Sequence, residues 1–281
     1  MPSVADCLKA SSELATVSDS ARLDTEILLA YVLKKDRSWL YTWPEKQIPA
    51  DIHYQFLQLM SRRTMGEPIA YLTGRKGFWS LELEVNKTTL IPRPETELLV
   101  ELALEKIPNT KVNVLDLGTG TGAIALAIAK ERPNAKVKGV DCVSDAVELA
   151  RRNAHLNNIS NVEFIQSKWF ENVGDEKFDL IVSNPPYIDS EDPHLLLGDI
   201  RFEPRSALIS QEQGFADLRH IVKNAKIYLK RNAWLFVEHG WQQGKKMKEN
   251  FSENEFSNIS TAKDTEGRDR ITYGSSEQVQ G

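Results

Sequence analysis

VLDLGTGTGAIALA, residues Val114 to Ala127, joins a strand-like apolar run to a helix-like one through glycines at 118, 120 and 122. Glycine accepts positive φ and lets the backbone pass close to a ligand, and the helix that follows begins with free N–H groups. A glycine turn between strand and helix is the arrangement a nucleotide-type site requires. Two acidic residues accompany it. Asp141 ends the next apolar run, KGVD, about 20 residues on, where a carboxylate can hold ribose hydroxyls. Asp116 lies inside the end of the first run, an awkward place for a charge without a partner.

The spacing of the glycines excludes two alternatives. It is GxGxG rather than the GxGxxG of dinucleotide-binding enzymes, and no GK[ST] follows, so a P-loop is ruled out. A tight turn beside a strand-end aspartate remains as a purely structural reading. DLGTGTG followed by GVD resembles the first two motifs of class I S-adenosylmethionine-dependent methyltransferases. In that family the glycine loop, here Gly118, Thr119, Gly120, Thr121 and Gly122, approaches the methionine part of the cofactor. The resemblance assigns the ribose to Asp141, and the place of Asp116 at the strand end puts it in the cofactor-binding set as well.

Outward from this turn, strands and helices alternate. KVNVLDLG, AKVKGVD, VEFIQ, FDLIVSN and AWLFVEHG read as strands. TGAIALAIAKERP, SDAVELARRNAHLNN and FADLRHIVKNAKIYLK read as helices, with Ser144 the expected N-cap of the second. Such alternation implies a mainly parallel, Rossmann-like sheet with helices on both faces. SNISTAKD and DRITYG supply a closing C-terminal antiparallel pair. Ligands in such sheets bind beyond the carboxyl ends of the strands.

Residues 1–75 read differently, as a small bundle of about four or five helices. DTEILLAYVLKK places Ile27, Leu28, Tyr31 and Val32 at helical spacing, and ADIHYQFLQLMSRRTMG repeats the habit before stopping at Gly66. Between the two regions, residues 76–96 read as a short hairpin and a stiff connector. LELEV alternates at period two with Asn86-Lys87 as the expected turn, and IPRPE carries two prolines. Residues 97–281 then form the methyltransferase domain.

Composition narrows the function classes. With 281 residues, 41% hydrophobic and 27% charged, the chain has an ordinary globular balance. No apolar run approaches the roughly 20 residues of a membrane span, and no secretory signal is read at the N-terminus. Two distant cysteines and five histidines without metal spacing support neither a disulfide framework nor a metal site. The formal charge of −5, from 35 basic and 40 acidic residues, gives a nucleic-acid partner no help from the global field. These readings point to a cytoplasmic protein with no membrane and no direct nucleic-acid partner.

VSNPPYIDSEDP, Val182 to Pro193, then places an Asn, two prolines and a Tyr where the strand FDLIV ends, beside the first strand. A planar NH2 nitrogen is a poor nucleophile because its lone pair is delocalised, and its two N–H donors must find acceptors where water is excluded. The Asn184 side-chain oxygen and the Pro185 carbonyl are two such acceptors. Pro185 and Pro186 stiffen the backbone that carries them, and Tyr187 offers a face for stacking. The expected job is alignment of that nitrogen with an electrophilic methyl carbon, which lowers a barrier by roughly 7–11 kcal/mol at best.

NPPY resembles the [DNS]PP[YFW] signature shared by N6-adenine methyltransferases and the glutamine-N5 methyltransferases of release factors. NPPYI, LIPRPETE, FEPRSAL and VEHGWQQG, behind an N-terminal helical domain, resemble the HemK/PrmC family over nearly the whole chain. Its members methylate the glutamine of the GGQ motif in peptide chain release factors with S-adenosylmethionine. The resemblance implies that Asn184, Pro185, Pro186 and Tyr187 hold the substrate glutamine, and that Asn184, Pro185 and Tyr187 are catalytic. It places Trp169 of SKWF against the adenine and Asn184 at the cofactor's edge. Family members often carry an acidic residue where this chain has Lys168. The helical domain is expected to recognise the release factor, the chain to act as a monomer, and Asp189 to Gln213 to close over the substrate. The readings set against this are an N6-adenine methyltransferase and a non-catalytic translation-factor-binding protein.

Overall fold

The computed structural model describes residues 1–276. They divide into two compact units, Met1–Arg75 with Pro193–Phe202, and Lys76–Asp192 with the residues from Glu203 onward. The first unit is helical: α1 (Val4–Leu8), α2 (Ala21–Leu33), α3 (Arg37–Thr42), α4 (Ala50–Thr64) and α5 (Ile69–Thr73). Its core gathers Leu28, Leu29, Val32, Phe56 and Met60 from α2 and α4, while Tyr31, which the spacing puts on the same face of α2, is exposed. The buried guanidinium of Arg63 is compensated by Asp24 at 2.8 Å, by Asp199 at 3.3 Å and by the Glu67 carbonyl at 3.1 Å.

The second unit opens on a hairpin, β1 (Arg75–Phe78) and β2 (Leu81–Glu84), so its turn is Trp79-Ser80 and not Asn86-Lys87. Trp79 takes φ +55, a costly conformation for a bulky residue. Tertiary bonds offset it: the Trp79 amide donates to Glu97 at 2.7 Å and its indole to Glu131 at 2.9 Å. Asn86 makes a local turn of its own, accepting the Thr88 amide at 2.9 Å. After the prolines comes a helix the strand–helix reading passed over, α6 (Glu97–Lys106).

β3 (Asn113–Leu117), α7 (Ala123–Glu131), β4 (Lys136–Asp141), α8 (Ser144–Leu156), β5 (Val162–Gln166) and β6 (Phe178–Ser183) follow. A single irregular turn, α9 (Gln211–Gly214), leads into α10 (Ala216–Tyr228), β7 (Leu229–Glu238), α11 (Gly244–Glu253), β8 (Ser257–Lys263) and β9 (Asp269–Ser275). The sheet order is β5-β4-β3-β6-β7-β9-β8, parallel through β7, with β9 antiparallel to β7 and to β8. This is the class I methyltransferase fold. Alternate residues of each strand feed two cores. Val114, Leu180 and Phe236 meet α6, α7 and α8 on one face, while Leu115, Leu117, Ile181 and Leu235 meet α10 and α11 on the other. Ser144 is the first residue of α8 rather than its cap, because Val143 precedes it in extended conformation. Asp141 takes over the capping work, accepting the Val143 amide at 2.9 Å.

Order reverses between β3 and β4 on one side and β6 on the other, so a crevice opens beyond the carboxyl ends of these strands. The segment from Asp189 to Gln213 is divided between the two units. Pro193–Phe202 belongs to the helical unit, and Glu203 to Gln213 belongs to the sheet unit. Ile188 pairs with Ile209 there in a parallel bridge.

Candidate active site

The cavity at this crevice is lined by Gly118, Thr119, Gly120, Thr121, Asp141 and Trp169, and on its other side by Asn184 and Pro186. Gly118, Gly120 and Gly122 all have positive φ, at +71, +55 and +83, so each conformation is one that a side chain strains. Crowding adds to this at Gly122, where a Cβ would meet Phe164 at 3.0 Å. Gly122 sits below the lining residues, at the start of α7.

Two strand ends hold the turn. The Thr119 amide donates to the Val140 carbonyl and the Gly120 amide to Asp141 Oδ2, each at 2.9 Å. Asp141, which lines the cavity, therefore has one oxygen on Gly120 and the other on Val143, with a lone pair to spare on each. Burial pushes its carboxyl above the ordinary aspartate range, against the hydrogen bonds that hold it down.

Asp116 is not among the lining residues. It is fully buried beneath the loop, where its Oδ2 accepts the Thr119 hydroxyl at 2.6 Å and the Ala125 amide at 3.2 Å. Its Oδ1 has no protein partner, and burial pushes the carboxyl up to about 7. Its contacts make it a brace for the loop and α7.

A further brace was not legible in the sequence. Asn153 of α8 is wholly buried, and its Nδ2 donates to the Thr121 carbonyl at 2.9 Å and the Glu84 carbonyl at 3.0 Å. Its Oδ1 accepts the Glu84 amide at 2.7 Å, so one carboxamide joins glycine loop and hairpin.

Trp169 has φ +51 and its ring packs over Gly118, where a Cβ would come within 3.4 Å. The Ser167 hydroxyl donates to the Trp169 carbonyl at 2.9 Å, and the Ser167 amide donates to the Asp141 carbonyl at 2.9 Å. A bulky residue kept left-handed in a cavity wall marks a position that its surroundings over-determine. Lys168 lines the same wall.

Asn184 follows β6 directly, beside the end of β3, as the Leu117–Ser183 register requires. The Ser183 hydroxyl fastens the two ends by donating to the Leu117 carbonyl at 2.8 Å. Asn184 Nδ2 donates to Thr96 Oγ1 at 3.1 Å, leaving its Oδ1 available. Pro185 is buried and Pro186 faces the cavity. Tyr187 stands behind them, its hydroxyl 3.5 Å from Glu238 Oε1. Burial and the neighbouring Glu238 charge push its phenol well above the usual range.

Three residues hold the turn's far side: Gln243, which stands in the VEHGWQQG string, and Ser210 and Gly214, which carry no sequence signal. Gln243 Nε2 donates to the Tyr187 carbonyl at 3.1 Å, and the Ser210 amide donates to the Ile188 carbonyl at 3.0 Å. Gly214 packs so closely that a Cβ would lie 2.2 Å from the Tyr187 oxygen. Arg93 of the connector lines the cavity and pairs with buried Glu203, which also accepts the Ile91 amide at 2.9 Å.

Two family models match the chain, a methyltransferase small domain over residues 94–200 and a PrmC N-terminal domain over residues 8–74. The release factor glutamine methyltransferase of Aliivibrio fischeri is 51% identical over 97% of this chain and 97% of its own length. The chain belongs to the release factor glutamine methyltransferases. The family's Escherichia coli member is 46% identical over 92% of this chain and 93% of its own. A solved methyltransferase from Pyrococcus furiosus shares the fold at TM-score 0.55 and 20% identity, over 79% of this chain and 99% of its own.

The cofactor of this family of methyltransferases is S-adenosylmethionine, and the cavity's donor set fits it. A left-handed glycine turn at a helix start, a strand-end carboxylate with spare lone pairs and an indole face are what a charged, ribose-bearing purine compound needs. No helix among the described residues is long and apolar enough to cross a membrane. Among those residues no group of three or more His, Cys, Asp or Glu is placed to hold a metal ion.

Proposed function

We propose that this chain methylates the side-chain nitrogen of the GGQ glutamine in peptide chain release factors, with Asn184, Pro185 and Tyr187 presenting that amide. The observation that carries the assignment of roles is the position of NPPY. It stands at the end of β6, next to the glycine loop of β3, with Asn184 Oδ1 unspent. S-adenosylmethionine, when bound, supplies an electrophilic methyl group.

Gly118 to Gly122 hold the methionine part, Asp141 accepts the ribose hydroxyls and Trp169 covers the adenine. Asp116 acts one layer below, through Thr119 and Ala125. The substrate amide gives one N–H to Asn184 Oδ1 and the other to the Pro185 carbonyl. Both acceptors are fixed before the substrate arrives: Pro185 by its ring, Asn184 by Thr96. The paired donors point the nitrogen's lone pair away from the acceptors and toward the methyl carbon, and Tyr187 supports the amide plane.

The same geometry serves an adenine amine, but the formal charge of −5 favours a protein acceptor. The reading further places the chain in the cytoplasm, as a monomer, with the helical unit of residues 1–75 recognising the release factor. Asn184→Ala tests it. Turnover of the release-factor substrate is expected to fall by about 10²-fold or more with cofactor affinity nearly intact. An equal loss of cofactor affinity would show that Asn184 has been given the wrong role.

A further inference from the structure

We propose that Arg93 of the connector receives the α-carboxylate of the cofactor's methionine, with Glu203 as the positioning residue that aims its guanidinium. The inference rests on the placing of S-adenosylmethionine given above and adds the group that meets its one anionic part.

The cofactor brings a carboxylate into the crevice, and a carboxylate taken out of water needs a cation or several donors. The residues lining the cavity include two cations, Arg93 and Lys168. Lys168 adjoins Trp169, on the wall given to the adenine. Arg93 stands at the other end. Its carbonyl accepts the Thr96 amide at 3.1 Å, and the Thr96 hydroxyl accepts Asn184 Nδ2 at 3.1 Å, so one short turn ties Arg93 to the NPPY corner. The chain leading to it passes over the glycine loop: a Cβ on Gly120 would lie 3.8 Å from Thr89 Cβ. Arg93 therefore flanks the methionine half of the crevice, and Lys168 the adenine half.

The guanidinium is held before any ligand arrives. Its Nη2 is bonded to Oε1 of Glu203, whose side chain is wholly buried. Oε2 of the same carboxylate accepts the Ile91 amide at 2.9 Å, which fixes Glu203 to the backbone two residues before Arg93. An arginine carries five N–H donors in a rigid fork, and among the described residues only Nη2 is bonded to the protein. Nε and Nη1 remain for a ligand, and a planar fork of fixed orientation suits a carboxylate better than a mobile ammonium does. The Arg93 side chain is 29% exposed, open enough to be reached from the cavity it lines.

Calorimetry with S-adenosylmethionine and with its decarboxylated analogue, which keeps the sulfonium, ribose and adenine, tests this without a release factor. The wild type is expected to bind the analogue about tenfold or more weakly than the cofactor, from the loss of charge-assisted hydrogen bonds. Arg93→Gln is expected to lose about that factor for the cofactor while binding the analogue within about twofold of the wild type. Arg93→Lys, which keeps the charge without the fork, is expected to fall between. Glu203→Gln is expected to shrink the cofactor's advantage over the analogue, with the analogue's own affinity kept. Should Arg93→Gln fold poorly with Glu203 buried alone, the double variant Arg93→Gln, Glu203→Gln carries neither charge and gives the same comparison. Equal losses for cofactor and analogue, or an undiminished advantage of the cofactor in Arg93→Gln, would overturn the assignment. A chain that discriminates as expected yet leaves the release factor unmethylated would sink the glutamine reading and uphold this one.

Discussion

The Asp141 carboxylate accepts the Gly120 amide at 2.9 Å, so the end of β4 holds the turn that follows β3. The same carboxylate is the one placed to take ribose hydroxyls, which makes it both wall and ligand. Asp141→Ala is expected to weaken S-adenosylmethionine binding by about 10²-fold, from hydrogen bonds to a charged group worth roughly 1.5–3 kcal/mol each. Isothermal calorimetry checks this, and unchanged affinity would move the ribose elsewhere.

Asn153 joins hairpin and loop from beneath, through the Thr121 and Glu84 carbonyls and the Glu84 amide. Asn153→Leu keeps the volume but removes the three hydrogen bonds to these backbone groups. A stability loss of about 2–4 kcal/mol is expected, at roughly 0.5–1.5 kcal/mol for each lost bond. Denaturant unfolding measures it. Cofactor affinity is expected to fall in parallel, because Thr121 lines the cavity.

Gly214 touches the Tyr187 carbonyl so closely that no side chain fits, and its φ of +79 penalises one independently. The two residues before it, Glu212 and Gln213, are left-handed as well. Gly214→Ala is expected to displace the NPPY turn and to lower kcat by about tenfold or more, with cofactor affinity kept. Gln243→Ala, which removes only the hydrogen bond to the same carbonyl, is expected to act in the same direction and less strongly. A kcat unaffected in both would show that the turn holds itself.

Stability carries a pH signature. Asp116 has its folded-state carboxyl raised to about 7 from an ordinary 3.8, so folding favours its protonated form. Its contribution is undiminished below the unfolded value and is lost as pH rises toward the folded one. Between about pH 5.5 and 8 this amounts to about 2 kcal/mol of lost stability. Glu238, raised to about 7 from 4.5, acts in the same sense. His239, which burial keeps neutral, acts in the opposite one. The informative comparison is therefore with Asp116→Asn, which is expected to lose less stability than the wild type over that interval, by about 2 kcal/mol. Parallel pH profiles would contradict the assignment.

Much of the sheet unit was legible because its chemistry is written in short local strings. DLGTGTG, GVD and NPPY each depend on backbone conformation or strand ends, and the structure brings all three to one crevice. What escaped the sequence acts across long separations. Asn153 reaches Glu84, Gln243 reaches Tyr187 and Thr96 reaches Asn184, and none of these pairs has a spacing to betray it. The hairpin turn was misplaced because Asn86-Lys87 has the better local turn chemistry, while Trp79 is held left-handed by Glu97 and Glu131 from distant helices. Asp116 was read as a cofactor ligand from its place at a strand end. Its side chain meets the start of α7 instead, where it accepts the Ala125 amide.

The mass of the GGQ peptide from a release factor, after incubation with this chain and S-adenosylmethionine, is the decisive measurement. The expected result is a gain of one methyl group on the glutamine side chain, abolished in Asn184→Ala. A peptide of unchanged mass, or methyl label recovered only in nucleic acid, would contradict it.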